Sequence, residues 1–348
     1  MDAAGMTSNT PSSASHQSED RVVGSPFRRV LMRAEIGAFF ALIVVYTFFA
    51  IVTAHTSFFG FNGTASWLNT AAELGIIALA VGLLMIACEL DLSIGSVLGA
   101  SSILLAIGCT IYGINVWVMI LIVLAVAGLV GFVNGFISER TGLPSFIVTL
   151  ATNFAVAGAA LGLSRLLTNT TSISMTSTPE ADFLFAGRWG QANISILWWF
   201  GLTFAVAWIL GRTRFGNWIF ATGGNLVAAR GAGVPVGRVK ILLFMGSSLA
   251  AALVGIIQTV EFHSGNAANG QGYVFQAPIV AVIGGVLLTG GYGSAFGIAL
   301  GAALYGVISV GIFYTGWNTD WVQLFLGGLL LAAVLANSYF RRLALTSR

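Results

Sequence analysis

Apolar runs of membrane-spanning length recur along this chain, separated by short polar breaks. They are Ile36–Ala54, Ala71–Ala87, Ile94–Ile111, Val116–Ile137, Pro144–Leu163, Ile194–Leu210, Ile241–Val260, Ala277–Leu288, Ala295–Tyr314 and Val322–Ala336. Most approach the roughly 20 residues that cross a bilayer as a helix, and Ala277–Leu288 is short. A transmembrane β-barrel would show alternating segments of about ten residues instead. The pattern predicts an all-α fold, a polytopic transmembrane helical bundle of about ten helices. The expected divisions are a disordered tail at 1–33, a membrane domain at 34–340 and a short tail at 341–348. Arginines ahead of the first run resemble a signal peptide, but the run exceeds a typical h-region and no small-residue cleavage site follows. It reads as a retained first helix.

Charge orients the bundle. Of the 15 Lys and Arg residues, only Arg165 and Arg188 fall on one side of the alternating connections. The positive-inside rule therefore places both termini in the cytoplasm. The chain is 57% hydrophobic and 8% charged, with 44 glycines that suit close helix packing. Three stretches have GxxxG spacing: Gly131/Gly135, Gly158/Gly162 and the overlapping Gly293/Gly297/Gly301. A net charge of +3 spread over short patches speaks against nucleic acid and suits lipid headgroups as neighbours. His16, His55 and His263 are far apart and form no metal spacing, and Cys88 and Cys109 imply no disulfide framework. No metal or cofactor is expected.

The odd passage is Cys88–Gly99, where Glu89 and Asp91 interrupt long apolar runs. A carboxylate at mid-membrane costs roughly 2.5–3.5 kcal/mol on insertion scales, so it needs a cavity, an interface or a partner. The charge bias sets this break at the cytoplasmic end of the second and third helices, unless the pair is re-entrant. Asp91 is expected to cap the third helix, with Ser93 as the alternative cap, and Glu89 has no evident partner. Glu73, Glu89 and Asp91 all map near span ends. The interiors offer neutral polar groups, among them Asn134, Thr149, Thr152, Asn153, Gln258 and Ser309. Such groups suit passage of an uncharged polyhydroxy solute; the alternative for each is a bond to a neighbouring helix.

The main inward connection, Gly211–Lys240, contains a piece, Asn225–Arg230, that reads as a short helix. Asn225 would cap it, and Gly231 and Gly233 would end it. Flanked by arginines, it suits docking on a soluble partner or anchoring at the membrane surface. Two outward connections, Arg165–Asn193 and Glu261–Gln276, are polar enough to lie in water. No catalytic constellation is present. A Walker A loop needs Gly-Lys-Ser/Thr, and the only lysine, Lys240, lies between Val239 and Ile241. Any ATP-driven work must use another subunit's ATPase.

Three passages together resemble the membrane permease subunit of bacterial ABC importers for simple sugars, the group with the ribose, xylose and autoinducer-2 permeases. The first is Asp91-Leu92-Ser93-Ile94-Gly95-Ser96, where the family typically reads Gly-Gly-Ile-Asp-Leu-Ser-Val-Gly-Ser. The second is Gly131-Phe132-Val133-Asn134-Gly135 with Leu143-Pro144-Ser145-Phe146-Ile147-Val148-Thr149-Leu150. The third runs from Arg214-Phe215-Gly216 through Gly223-Gly224-Asn225, Ala228-Ala229-Arg230 and Gly233 to Lys240, and on to Gly290-Gly291-Tyr292-Gly293-Ser294. The likeness spans about Trp67–Leu335. It departs at Cys88-Glu89, where the family has glycines.

The resemblance implies a multi-pass protein of the bacterial inner membrane that passes a monosaccharide or related polyol. Its implied partners are a cytoplasmic ABC ATPase, a periplasmic sugar-binding protein and a second permease chain, as a homodimer. It makes Gly224, Asn225, Ala228, Ala229, Arg230 and Gly233 the coupling segment on the ATPase. Glu89, Asp91, Ser93, Asn134, Thr149, Asn153 and Gln258 are the candidates for a gate or translocation pathway. The rival reading is an ion-coupled secondary transporter of a small polar solute.

Overall fold

The computed structural model describes residues 34–346, with side chains over 35–335. The expected tail at 1–33 lies outside the described residues. Twelve helices carry the architecture: α1 Ala34–Val52, α2 Phe61–Ile86, α3 Ile94–Thr110, α4 Val116–Thr141, α5 Ser145–Thr168, α6 Ser195–Arg212, α7 Arg214–Gly224, α8 Leu226–Gly231, α9 Val236–Glu261, α10 Tyr273–Ile283, α11 Ala295–Thr315 and α12 Trp321–Thr346. Seven are long and apolar enough to cross a membrane, and α3, α10 and α12 add three shorter apolar helices. Each of the ten apolar runs thus corresponds to one helix, and the chain is a polytopic helical membrane protein. The last helix continues past the boundary expected at 340.

Local chemistry sets many of the ends. Asn115 caps α4 through Trp117 N–H, and left-handed Gly142 closes it. Ser294 caps α11 through Gly297 N–H, and left-handed Gly316 ends it. The core runs along α2, which packs on α6, α9, α10 and α11, and along α9, which also packs on α3 and α4. A second cluster joins Phe49 of α1 to Leu304, Ile308 and Ile312 of α11.

Two glycine pairs work as packing surfaces. A Cβ on Gly131 would stand 2.5 Å from the Phe244 carbonyl oxygen of α9. On Gly297 and Gly301 it would strike the carbonyls of Gly284 and Val280. Gly158 and Gly162 of α5 face open space.

One helix, α10, falls well short of a full crossing. The 11 residues of α10 rise about 16 Å, against a hydrocarbon core of about 30 Å. Its approach, Gly265–Gly270, lies along α3: a Cβ on Gly270 would meet the Gly95 carbonyl at 2.5 Å. The two outer connections are not separate loops. They join as a ladder, β1 (Ser172–Ser174) antiparallel to a later strand at Ser264–Asn266. Between them a small hairpin, β2 (Arg188–Trp189) and β3 (Ala192–Asn193), sits over the outer end of α2. The strand at Ser264–Asn266 is β4.

Candidate functional site

The break between α2 and α3 is enclosed by helices, at the end of the bundle where α4 stops and α5 begins. Asp91 and Ser93 are fully buried. Their neighbours run from the first residue of α5, Ser145, two turns into that helix to Asn153, with Asn134 two turns before the end of α4. In lipid every backbone polar group needs a protein partner, and α5 supplies them from one face, spaced four residues apart. Ser145 Oγ accepts from Leu90 N–H at 3.0 Å, Thr149 Oγ1 from Leu92 N–H at 3.0 Å, and Asn153 Oδ1 from Ser96 N–H at 3.2 Å.

Asp91 does not cap α3. Its Oδ1 accepts from Ser93 N–H at 2.8 Å and Ser93 Oγ–H at 2.6 Å, a turn that precedes the helix. Ser93 holds the cap position without a side-chain cap bond. The third N–H of the helix goes to Asn153 instead, a cap supplied from another helix. Asn134 closes the cluster, donating to Ser93 Oγ at 3.0 Å and accepting from Thr152 Oγ1–H at 2.6 Å. Ser247 of α9 approaches the carboxylate, yet Asp91 Oδ2 and Ser247 Oγ are each without a hydrogen bond.

Gln258 lies elsewhere, about 16 Å outward along α9 from Ser247. Its Nε2 donates to Glu73 Oε2 at 2.7 Å, which also accepts from Tyr273 O–H at 3.1 Å. Glu73 is not near a span end. The helix begins ten residues before the apolar run does, at Phe61, which puts Glu73 at its middle. The polar first turns of α2 serve the outer hairpin: Asn69 donates to Gln191 O at 2.8 Å and accepts from Asn193 N–H at 2.9 Å.

The inward connection is more ordered than expected. Thr213 caps α7, and Asn225 caps α8 through Ala228 N–H at 3.0 Å. Beyond α8, Gly233 is left-handed and Val234 N–H returns to Ala229 O at 3.0 Å. The α7–α8 corner touches both interrupted helices. A Cβ on Gly223 would collide with the Ile86 carbonyl at the end of α2, which also accepts Gly291 N–H at 2.8 Å from the α10–α11 connection. The close approach falls on Gly223; Gly224 has room.

Charged side chains gather below the break. Lys240 Nζ lies 2.5 Å from Glu89 Oε1 and 3.6 Å from Glu139 Oε2, and Arg230 pairs with Glu139 Oε1 at 2.6 Å. They line a cavity of about 660 Å³ with Cys88, Leu90 and Ser145. No group of three or more metal-ligating side chains occurs among the described residues.

Residues 63–334 match a family model described as the permease component of the branched-chain amino acid transport system. The chain belongs to this permease family. It is 33% identical over 303 residues to the probable ABC transporter permease protein YphD of Escherichia coli strain K12, covering 87% of this chain and 89% of that one. It is 30% identical over 317 residues to the ribose import permease protein RbsC of the same strain, covering 89% and 97%. It is 29% identical over 323 residues to the fructose import permease protein FrcC of Rhizobium meliloti, covering 87% and 85%. No solved structure matches.

As an inner-membrane ABC permease component, the chain is not itself an ATPase, and it works with an ATPase and a binding protein. Cys88 shows why glycine suits this place in the resemblance. Its φ of 63° is left-handed, a conformation that strains a residue with a Cβ. Sequence reasoning on the permease missed Ser145, Gly223, Glu139 and Lys240. The Ser145-Thr149-Asn153 spacing was a usable signal, since it marks one polar stripe on an apolar helix.

Proposed function

We propose that this chain passes a monosaccharide or related polyol inward, as the membrane subunit of an ABC importer whose ATPase docks on α8. The observation that carries the reading is the α7–α8 corner. A capped helix of six residues projects on the basic side and rests through Gly223 against the carbonyl that ends α2. The names of the ribose and fructose relatives support the solute class. Gly224, Asn225, Ala228, Ala229, Arg230 and Gly233 form the coupling segment, with Arg230 half-exposed beside Glu139. Asp91, Ser93, Asn134, Thr149 and Asn153 shape the inner gate by holding the break, while Glu89 faces the cavity below it. Gln258 belongs to a separate outer cluster. A second copy of the chain completes the pathway.

Closure of the ATPase on ATP moves α8, and the corner carries that movement to the ends of α2 and α10. The paired permeases open outward, receive solute from the binding protein, and reset after hydrolysis. Arg230→Glu sets a carboxylate against Glu139 and reverses the charge offered to the ATPase. The expected result is loss of uptake in cells with normal membrane insertion. Normal uptake would remove α8 from the coupling role. Uptake without the ATPase that collapses with the proton gradient would point to the ion-coupled alternative.

A further inference from the structure

Four charged side chains from four places in the chain form one line of alternating sign. Arg230 is the single charge on α8, and Glu139 ends α4 one turn below Asn134, which holds Ser93. Lys240 opens α9, and Glu89 sits in the break itself. The side chains become more enclosed along the line: Arg230 is 54% exposed, Glu139 23%, Lys240 12% and Glu89 11%. Enclosed pairs are screened less by salt than surface pairs. Lys240 touches both carboxylates, so removing it leaves two acids facing one another in a confined space.

We propose that Lys240 is a positioning residue, the node of an ionic relay Arg230–Glu139–Lys240–Glu89 that carries movement of α8 to the Cys88–Ser93 break. The inference rests on α8 being the ATPase-coupling helix. The relay is a second link beside the glycine contact at Gly223, and it enters the break itself at Glu89. Its last member, Glu89, stands where the resemblance gives glycine, so the link is a feature of this chain. Displacement of Arg230 drags Glu139. That shifts Lys240, and with it the carboxylate one residue past Cys88. The anchors that hold Leu90, Leu92 and Ser93 then follow or break.

Cys88 is a native reporter, since its side chain is exposed and lines the cavity. The chain, with Cys109→Ser, is purified with its ATPase in lipid nanodiscs. Labelling of Cys88 by a water-soluble maleimide is timed without nucleotide and after trapping with ATP and vanadate. The ratio of the two rates cancels any effect of a variant on the thiol itself. The relay predicts a ratio far from one in the parent and in Lys240→Arg. In Lys240→Met and in Glu89→Gln the ratio moves toward one by about fivefold, the lower end of typical coupling factors. ATP hydrolysis in the same sample shows that each complex is intact. A parent-like ratio in Glu89→Gln, which leaves α8 and Arg230 untouched, overturns the relay even if Lys240→Met fails to assemble. A parent chain that binds no ATPase overturns the coupling reading instead.

Discussion

At the scale of single residues, several neutral polar groups of the interior serve the break between α2 and α3. Thr149 and Asn153 take N–H groups that the interrupted helix leaves without intrahelical partners, and Asn134 holds Ser93. Asp91 does the same from within the break, and its Oδ1 is the atom that matters. Asp91→Asn keeps that acceptor and offers an N–H to Ser247 where Oδ2 stood. It is expected to unfold at the parent temperature in detergent and to retain uptake. Asp91→Leu leaves Ser93 N–H unpaired where no water replaces it, at roughly 1–3 kcal/mol per unpaired group. A lower unfolding temperature for Leu alone is the predicted result; loss of uptake in the folded Asn variant would show that the charge itself is required. The sequence made Asp91 conspicuous but hid its role, because its neighbours come from helices far along the chain. Lys240 was equally visible as the only lysine, yet nothing local pairs it with Glu89.

Among elements, hydrophobic length located all ten apolar helices, since lipid imposes it on each separately. It failed where a helix meets protein instead of lipid. The first ten residues of α2 fall outside the apolar run because they carry polar side chains, one of which, Asn69, binds the outer hairpin. The helical cap at Asn225 was legible because it is local, whereas α7 was hidden by its short, mixed composition. The contact that gives the α7–α8 corner its purchase depends on a missing side chain. Gly223→Ala drives a methyl group into the Ile86 carbonyl, and overpacking of this kind costs roughly 1–3 kcal/mol. Reduced stability and uptake are expected for Gly223→Ala, with parent-like values for Gly224→Ala, measured by thermal unfolding and transport in the same preparation. Equal behaviour of the two variants would count against the contact.

For the whole molecule, positive-inside bias and span count suggested an orientation, and the family match agrees with the function that the resemblance implied. An unfilled face of α5 offers a place for a partner. Two of the three GxxxG stretches are filled by neighbouring helices, while Gly158 and Gly162 face outward beside exposed Phe154 and Leu163. In lipid, small residues let backbones approach, and we propose this face for the second permease copy. With Cys88 and Cys109 replaced by serine, Gly158→Cys is expected to give a disulfide-linked dimer in membranes. Gly201→Cys, on an equally open face of α6, is expected to stay monomeric. Monomer at both positions would send the second copy to another face.

The β1–β4 ladder adds a mechanical asymmetry. Backbone hydrogen bonds, extended by Ala267 N–H to Thr171 O and Met175 N–H to His263 O, lash the outer ends of α5 and α9 together. On the opposite side those helices meet the break through single side chains and one short ionic line. The bundle is therefore built like tongs, riveted at one end and sprung at the other. In the coupling proposed above, a push on α8 acts at the tips, where the lever arm is longest.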